Sequence, residues 1–361
     1  MKINQIEPFF SGSEIESLKD YFATGGWLTE HHKTQQFEEE ISRYIQCQHT
    51  SIVPSGTVGI YLALLALNIG PGDQVAVPNY TMIASINAIS WTGATPVIID
   101  VVSENLCINM DLLEDLDLKA LVYVSINGRS GDLEKVAQYC SDKKIHLIED
   151  AAQAMGSKFK DRFIGTFGQI GVFSFTPHKI ITTGQGGAII TNDISLHEKI
   201  QSLKDFGRVS KGVDIHKELG FNFKFTDLQS IVGIEQLRTI NKRIELKKTM
   251  FQSYMNYLSE VTEIEVLKTN LDETTPWAMD IILPSKDTRD RMKTFLENKG
   301  IGSRIFYPPI NSQTPYSQFK KGSFPISESF ANRGLWLPSS ITLNHQQIKV
   351  ICTNIKEFFN N

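Results

Sequence analysis

One lysine, held between two apolar runs, is the residue in this chain best placed for chemistry. The stretch Gly171-Val172-Phe173-Ser174-Phe175-Thr176-Pro177-His178-Lys179 is strand-like up to its proline. A glycine cluster, Gly184-Gln185-Gly186-Gly187, then opens a second apolar run, Ala188-Ile189-Ile190-Thr191. Most loop lysines are simply solvated. A strand, loop, glycine turn and strand, however, frame a pocket. A lysine buried in one has its charged form disfavoured, so its pKa falls and its amine can attack a carbonyl. Upstream, Lys144-Ile145-His146-Leu147-Ile148 closes on Glu149-Asp150, and Gln153 follows. A carboxylate at the carboxyl end of a strand in an open α/β sheet points into the crevice where ligands bind. The plainer roles are a helix cap for Asp150 and a surface amide for Gln153. Earlier still, Pro54-Ser55-Gly56-Thr57-Val58-Gly59 leads into an apolar run over residues 60–67. Such a turn leaves free backbone N–H groups at the positive end of a helix, where a phosphate sits well.

A phosphate seat, an acid and a lysine together suit pyridoxal phosphate: phosphate on the helix, acid on the ring nitrogen, lysine on the aldehyde. At these residues the chain resembles the DegT/DnrJ/EryC1/StrS aminotransferases, which have the fold-type I pyridoxal-phosphate architecture. The resemblance runs from about Phe9 to the C-terminus. It rests on four motifs in order: Ser55-Gly56-Thr57, Glu149-Asp150-Ala151-Ala152-Gln153-Ala154, Phe173-Ser174-Phe175 through Lys179, and Gly184-Gln185-Gly186-Gly187.

The resemblance implies roles. Lys179 carries the cofactor and acts as general base once freed. Asp150 holds the ring nitrogen protonated, and Gln153 contacts the ring-hydroxyl side. Ser55, Gly56, Thr57 and Ser174 bind the phosphate, joined across a homodimer interface by Asn222, which otherwise reads as a turn asparagine. Met82 covers the ring face, where relatives often have an aromatic residue. Trp27, Thr29, His178, Arg304 and Tyr307 are expected around the substrate, although Trp27 also suits packing and Arg304 a plain surface position. Dehydratases of the family carry histidine in place of the lysine. Here Ser174 lies five residues before Lys179 and Gly184 five after, so the lysine is in frame and His178 is its neighbour. Further departures are Glu30-His31-His32-Lys33 where relatives carry a glycine, Asn127-Gly128 where a histidine and glycine often face the cofactor or substrate, and Gln185 in place of a glutamate. The expected reaction moves an amino group from L-glutamate to a nucleotide-linked keto-deoxy sugar, with a 4-keto-6-deoxyhexose leading. The pattern looks closest to perosamine synthases, which feed bacterial surface polysaccharide. The alternatives are another pyridoxal-phosphate class, such as a lyase or decarboxylase, or a non-catalytic regulator on the same fold.

Composition agrees with a soluble enzyme. The chain has 361 residues, 41% hydrophobic and 21% charged, with net charge −4. Neither nucleic acid nor an anionic membrane surface is an expected partner. Cys47, Cys107, Cys140 and Cys352 are scattered, without metal-ligand spacing, and read as reduced thiols. An acid at position 7 interrupts the N-terminus where a signal peptide would be apolar, so a cytoplasmic location is expected.

The elements that must position these residues alternate. Helical spacing covers residues 13–21, with Ser13 as cap, and residues 36–44. Apolar strand-like runs at 74–78, 96–100 and 121–125 are separated by helix-like segments. That alternation predicts βαβ units and a mainly parallel sheet flanked by helices. The expected division is a large α/β cofactor domain over residues 1–241 and a smaller α+β domain over 242–361.

Overall fold

The computed structural model describes residues 2–319 and 322–360. Helices α1 (Ser13–Ala23) and α2 (His32–Ile45) precede strand β1 (His49–Val53). Strand and helix then alternate through α3 (Gly56–Ala66), β2 (Gln74–Pro78), α4 (Ala84–Trp91), β3 (Thr95–Ile99), β4 (Ala120–Val124), α5 (Leu133–Asp142) and β5 (His146–Asp150). A short hairpin, β6 (Lys158–Phe159) and β7 (Arg162–Phe163), leads to β8 (Ile170–Ser174) and β9 (Gly187–Thr191). Helices α6 (Ile194–Lys204), α7 (Asp227–Arg238) and α8 (Ile240–Leu258) follow.

Seven strands form one sheet in the order β1-β9-β8-β5-β4-β2-β3. The run from β8 to β3 is parallel, and β9 is antiparallel to both its neighbours. Side chains alternate across it: Leu121, Leu147 and Phe173 enter the core on one face, Val122, Ile148 and Val172 the core on the other. Burial on both faces is why these strands read as unbroken apolar runs. In register, Val124 lies opposite Asp150 and Asp150 opposite Val172. The carboxyl ends of β4, β5 and β8 therefore deliver Ser125, Asp150 and Ser174 to one edge of the sheet. Gly187 closes the arrangement at the start of β9. A Cβ there would lie 2.7 Å from the Gly56 nitrogen and 2.8 Å from the Phe173 carbonyl oxygen, so only glycine lets β9 pass the start of α3.

A second sheet, in the order β10-β12-β11, is built from β10 (Asp280–Ile282), β11 (Arg304–Ile305) and β12 (Gly334–Trp336), all antiparallel. Helices α9 (Lys286–Asn298), α10 (Pro325–Arg333) and α11 (His345–Asn360) accompany it. Ile348, Ile351, Cys352 and Ile355 of α11 share one helix face and pack with Met250, Phe251 and Tyr254 of α8 over this sheet. Ile3 joins the same core and pairs with Ile301. An aromatic cluster of Tyr80, Trp277, Phe306 and Trp336 lies between the two sheets.

The expected cap of α1 is corrected. Gly12, at φ 98°, is the N-cap, and the Glu14 carboxylate accepts the Ser11 and Gly12 N–H groups. A carboxylate two residues inside reaches these donors where the Ser13 hydroxyl, already within the helix, does not. Thr226 caps α7, leaving Asp227 to accept the backbone N–H groups of His31, Lys33 and Thr34 at the start of α2. Cys107, Cys140 and Cys352 are buried free thiols and Cys47 a half-buried one. Among the described residues no helix is long and apolar enough to cross a membrane.

Candidate active site

Lys179 lies in the loop joining β8 to β9. The loop is pinned at its base by Phe175 N–H to the Gly186 carbonyl (2.8 Å) and Thr183 N–H to the Phe175 carbonyl (3.0 Å). The Lys179 ammonium stands 5.2 Å from the centre of the Trp277 ring, with no hydrogen-bond or ion-pair partner among the described residues. Burial lowers its pKa to about 8; Asp150 opposes this shift and Arg304 adds to it. At pH 7 about a tenth of such amines are neutral, against a few in ten thousand for a free lysine. An unpaired, partly neutral amine in a pocket is a poised nucleophile.

Asp150 ends β5, buried, its Oδ2 accepting from the Ser85 hydroxyl at 2.7 Å and its Oδ1 from Ala152 N–H at 3.1 Å. Burial raises its pKa, and these two hydrogen bonds and Lys179 counter only part of that. The carboxylate is thus short of positive charge, which a protonated pyridine nitrogen would supply. Its neighbour Glu149 faces the other way. Fully buried, Glu149 accepts the N–H groups of Gly165 (2.8 Å), Phe167 (2.6 Å) and Gly168 (2.6 Å), pinning the turn between β7 and β8. Of the two adjacent carboxylates, one is structural and one faces the pocket, as strand alternation requires.

The start of α3 has the form of an anion seat. Ser55 caps the helix, its hydroxyl accepting Val58 N–H at 3.2 Å. The N–H groups of Gly56 and Thr57, in the first turn, have no partner within the helix. Ser174 adjoins them: a Cβ on Gly56 would sit 3.2 Å from the Ser174 Cβ. Gln153 offers an amide whose oxygen accepts Asn127 N–H at 2.7 Å, while its Nε2 has no partner among the described residues. A phosphate seat, a carboxylate short of positive charge, an amide donor and an unpaired amine converge at one sheet edge. The donor set fits pyridoxal phosphate.

His178 flanks the lysine. Its carbonyl accepts from the Trp277 indole at 2.8 Å, and its ring meets the Trp277 ring edge-on at 5.6 Å. Burial, then the charges of Lys179, Arg304 and Lys247, depress its pKa to about 4, so the ring is neutral at physiological pH. Arg304 lies on β11, exposed, over the rings of Tyr307 (5.3 Å) and Trp336 (5.8 Å). Its charge reaches Lys179 and His178. Tyr307 is pushed up to about 12, chiefly by burial, with Asp150 contributing.

Three expected residues, Trp27, Thr29 and Asn222, lie apart from this cluster within a single chain, and Met82 lies at its rim. Trp27 is 65% exposed, its indole donating to the Thr29 hydroxyl. Thr29 bridges Thr226, and Asn222 bridges Asp205 on an exposed stretch. Met82 is 45% exposed at the rim, its sulfur accepting Ala84 N–H at 3.0 Å. Asn127 is turned away from the site: its amide engages Ala278 and Asp280 of the small sheet. Three contributors had no legible signal. Ser85 binds Asp150, Trp277 covers Lys179, and the buried Lys247 donates to the carbonyls of Trp277 (2.7 Å) and Ser339 behind them. His31, His32 and Asp227 lie close enough to share an ion. Yet the Asp227 oxygens already accept three backbone N–H groups and the Thr34 hydroxyl, which leaves little lone-pair capacity for a metal.

Comparison with known proteins agrees with this geometry. Residues 11–356 match the model of the DegT/DnrJ/EryC1/StrS aminotransferase family. The chain is 33% identical over 361 residues to a GDP-perosamine synthase of Vibrio cholerae, covering 98% of each chain. It is 32% identical over 356 residues to the GDP-perosamine synthase of Escherichia coli O157:H7, covering 98% of this chain and 97% of that one. The aminotransferase TlmJ from Streptoalloteichus hindustanus superposes with a TM-score of 0.94 at 26% identity, over 99% of both chains. The chain belongs to the DegT/DnrJ/EryC1/StrS aminotransferase family. It has that family's fold-type I architecture and its cofactor, pyridoxal phosphate, as the sequence motifs implied.

Proposed function

We propose that the enzyme transfers the amino group of L-glutamate to a nucleotide-linked keto-deoxy sugar, a 4-keto-6-deoxyhexose, for bacterial surface polysaccharide. The single observation behind the chemistry is the unpaired, half-buried Lys179 amine within electrostatic reach of Asp150. The two perosamine synthases support the substrate class through their identity over nearly the whole chain. Pyridoxal phosphate, when bound, supplies an aldehyde that accepts the amino group and a ring that takes up an electron pair.

The chain's own residues do the rest. Lys179 holds the cofactor until the donor amine arrives. Its freed amine, poised by burial, then moves a proton between the two carbons of the transfer. Asp150 keeps a proton on the ring nitrogen, and Ser85 holds that carboxylate in place. Gln153 donates to the ring oxygen. Gly56, Thr57 and Ser174 bind the phosphate, with Ser55 shaping their turn. Met82, at the rim, would cover the ring face only with its polarizable sulfur turned away from Ala84 N–H. His178, neutral, with Arg304 and Tyr307 faces the substrate side, Arg304 offering a planar fork to a phosphate or carboxylate. Trp27, Thr29 and Asn222, exposed in one chain, complete the site of a second copy in a cytoplasmic homodimer.

A panel of nucleotide-linked 3-keto and 4-keto sugars, each with L-glutamate, tests the substrate class. Turnover with a 4-keto-6-deoxy sugar is expected. Absence of turnover with any nucleotide sugar would overturn it.

A further inference from the structure

Asn127 follows the end of β4 in a left-handed conformation, φ 53°, and is buried. Asparagine is among the few residues that tolerate that backbone. Its side chain is fully engaged. Oδ1 accepts Ala278 N–H at 2.7 Å; Nδ2 donates to the Ala278 carbonyl at 2.9 Å and to Asp280 Oδ2 at 2.9 Å. The amide thereby grips the backbone at the edge of the small sheet. Asp280 is fixed in turn by both arms of the Arg129 guanidinium, each at 2.7 Å, and Arg129 Nε donates to the Thr269 hydroxyl at 2.9 Å. All three side chains are buried, so the set has one arrangement rather than several.

The same Asn127 donates its backbone N–H to Gln153 Oε1 at 2.7 Å. A flipped Gln153 amide would bring its NH2 against that N–H, donor against donor. The oxygen is therefore held inward, and Nε2 is the group left to serve the pocket. We infer that Asn127 is a positioning residue: it fixes Gln153 as a hydrogen-bond donor toward the cofactor's ring oxygen. Through Asp280 and Arg129 it makes that orientation depend on the small sheet being docked on the large one. Cofactor affinity and domain docking are thus coupled through one residue, its side chain on the small sheet and its backbone N–H on Gln153. The inference rests on Gln153 facing the pyridoxal ring.

The test is a double-mutant cycle read by the binding of pyridoxamine phosphate, which cannot bond covalently to Lys179. Tryptophan fluorescence of the apoprotein reports it, since Trp277 lines the site. Asn127→Gly keeps the left-handed backbone and the N–H but removes the grip on Ala278 and Asp280. In wild type it should weaken binding about tenfold, the worth of one good hydrogen bond. In a Gln153→Ala background the same change should cost less than about twofold, because the group it positions is gone. Melting temperature should fall equally in both backgrounds. Arg129→Lys, which keeps the charge and loses the fork, gives a gentler perturbation of the same cycle should Asn127→Gly unfold. An equal loss of affinity in both backgrounds, or none in either, would overturn the positioning role while leaving the cofactor assignment intact. Failure of the wild-type apoprotein to bind pyridoxamine phosphate would overturn both.

Discussion

Replacing Asp150 by asparagine separates its chemistry from its structural role. The two side chains have the same shape. Asparagine can still accept Ala152 N–H, and its NH2 can donate to the Ser85 hydroxyl, so both contacts of the carboxylate survive in reversed or neutral form. Removing the charge weakens those hydrogen bonds and removes the cost of burying a carboxylate, the same cost that raises the Asp150 pKa. The two effects oppose each other, and the apoprotein should stay within about 1 kcal/mol of wild type, a shift of at most about 4 °C in Tm. Catalysis has no such compensation, because a neutral amide cannot keep a proton on the ring nitrogen. Loss of one partner from a buried ion pair costs about 3–5 kcal/mol. Expressed in the barrier, that is a loss of about 10²–10⁴ in rate. Single-turnover conversion of the bound cofactor by L-glutamate measures it directly, alongside a thermal melt of the apoprotein. A rate within tenfold of wild type would refute the role of Asp150. A rate loss accompanied by a Tm drop of about 10 °C would make it a structural acid instead.

Other outcomes follow from the same geometry. The neutral Lys179 amine is the nucleophile and titrates at about 8, so capture of added pyridoxal phosphate by apoprotein should accelerate from pH 6 to 9 and level off above; a flat profile would contradict the shift. Gly187→Ala would press a Cβ against Gly56 N and the Phe173 carbonyl, lowering stability by about 1–3 kcal/mol or more and weakening phosphate binding, both readable by melting and cofactor titration. The folded-state pKa of Lys247 is depressed to about 7 from 10.5, so the unfolded chain binds the extra proton between those values and stability should rise with pH across that window. Lys247→Met should reduce that rise, leaving the part above pH 8 that Lys179 contributes, as denaturant melts at pH 7, 8 and 9 would show.

Much of this was legible because it depends on local order. Burial of the large sheet on both faces turned its strands into apolar runs, and the strand ends and glycine turns carried Lys179, Asp150 and the Ser55-Gly56-Thr57 seat. What was not legible depends on contacts between distant parts of the chain. Trp277 reaches His178 across 99 residues and Asn127 reaches Ala278 across 151. No spacing rule announces such pairs. Period-two alternation sends Glu149 and Asp150 to opposite faces, but only the packed hairpin turn decides which one it takes. The Asn127-Gly128 segment read only as a departure from relatives that carry a histidine there; that the Asn127 amide engages Ala278 and Asp280 of the small sheet needs the tertiary contacts. Trp27, Met82 and Asn222 are exposed in this chain, where neither packing nor spacing marks them.

The most direct measurement is the near-ultraviolet and visible spectrum of the purified protein, before and after addition of L-glutamate. A band from lysine-bound cofactor, replaced by that of the amine form on adding glutamate and absent in Lys179→Ala, is the expected result. A band that glutamate leaves unchanged would contradict the donor and favour another class of pyridoxal-phosphate chemistry. No band after incubation with pyridoxal phosphate would contradict the central claim that Lys179, Asp150 and the start of α3 form a working cofactor site.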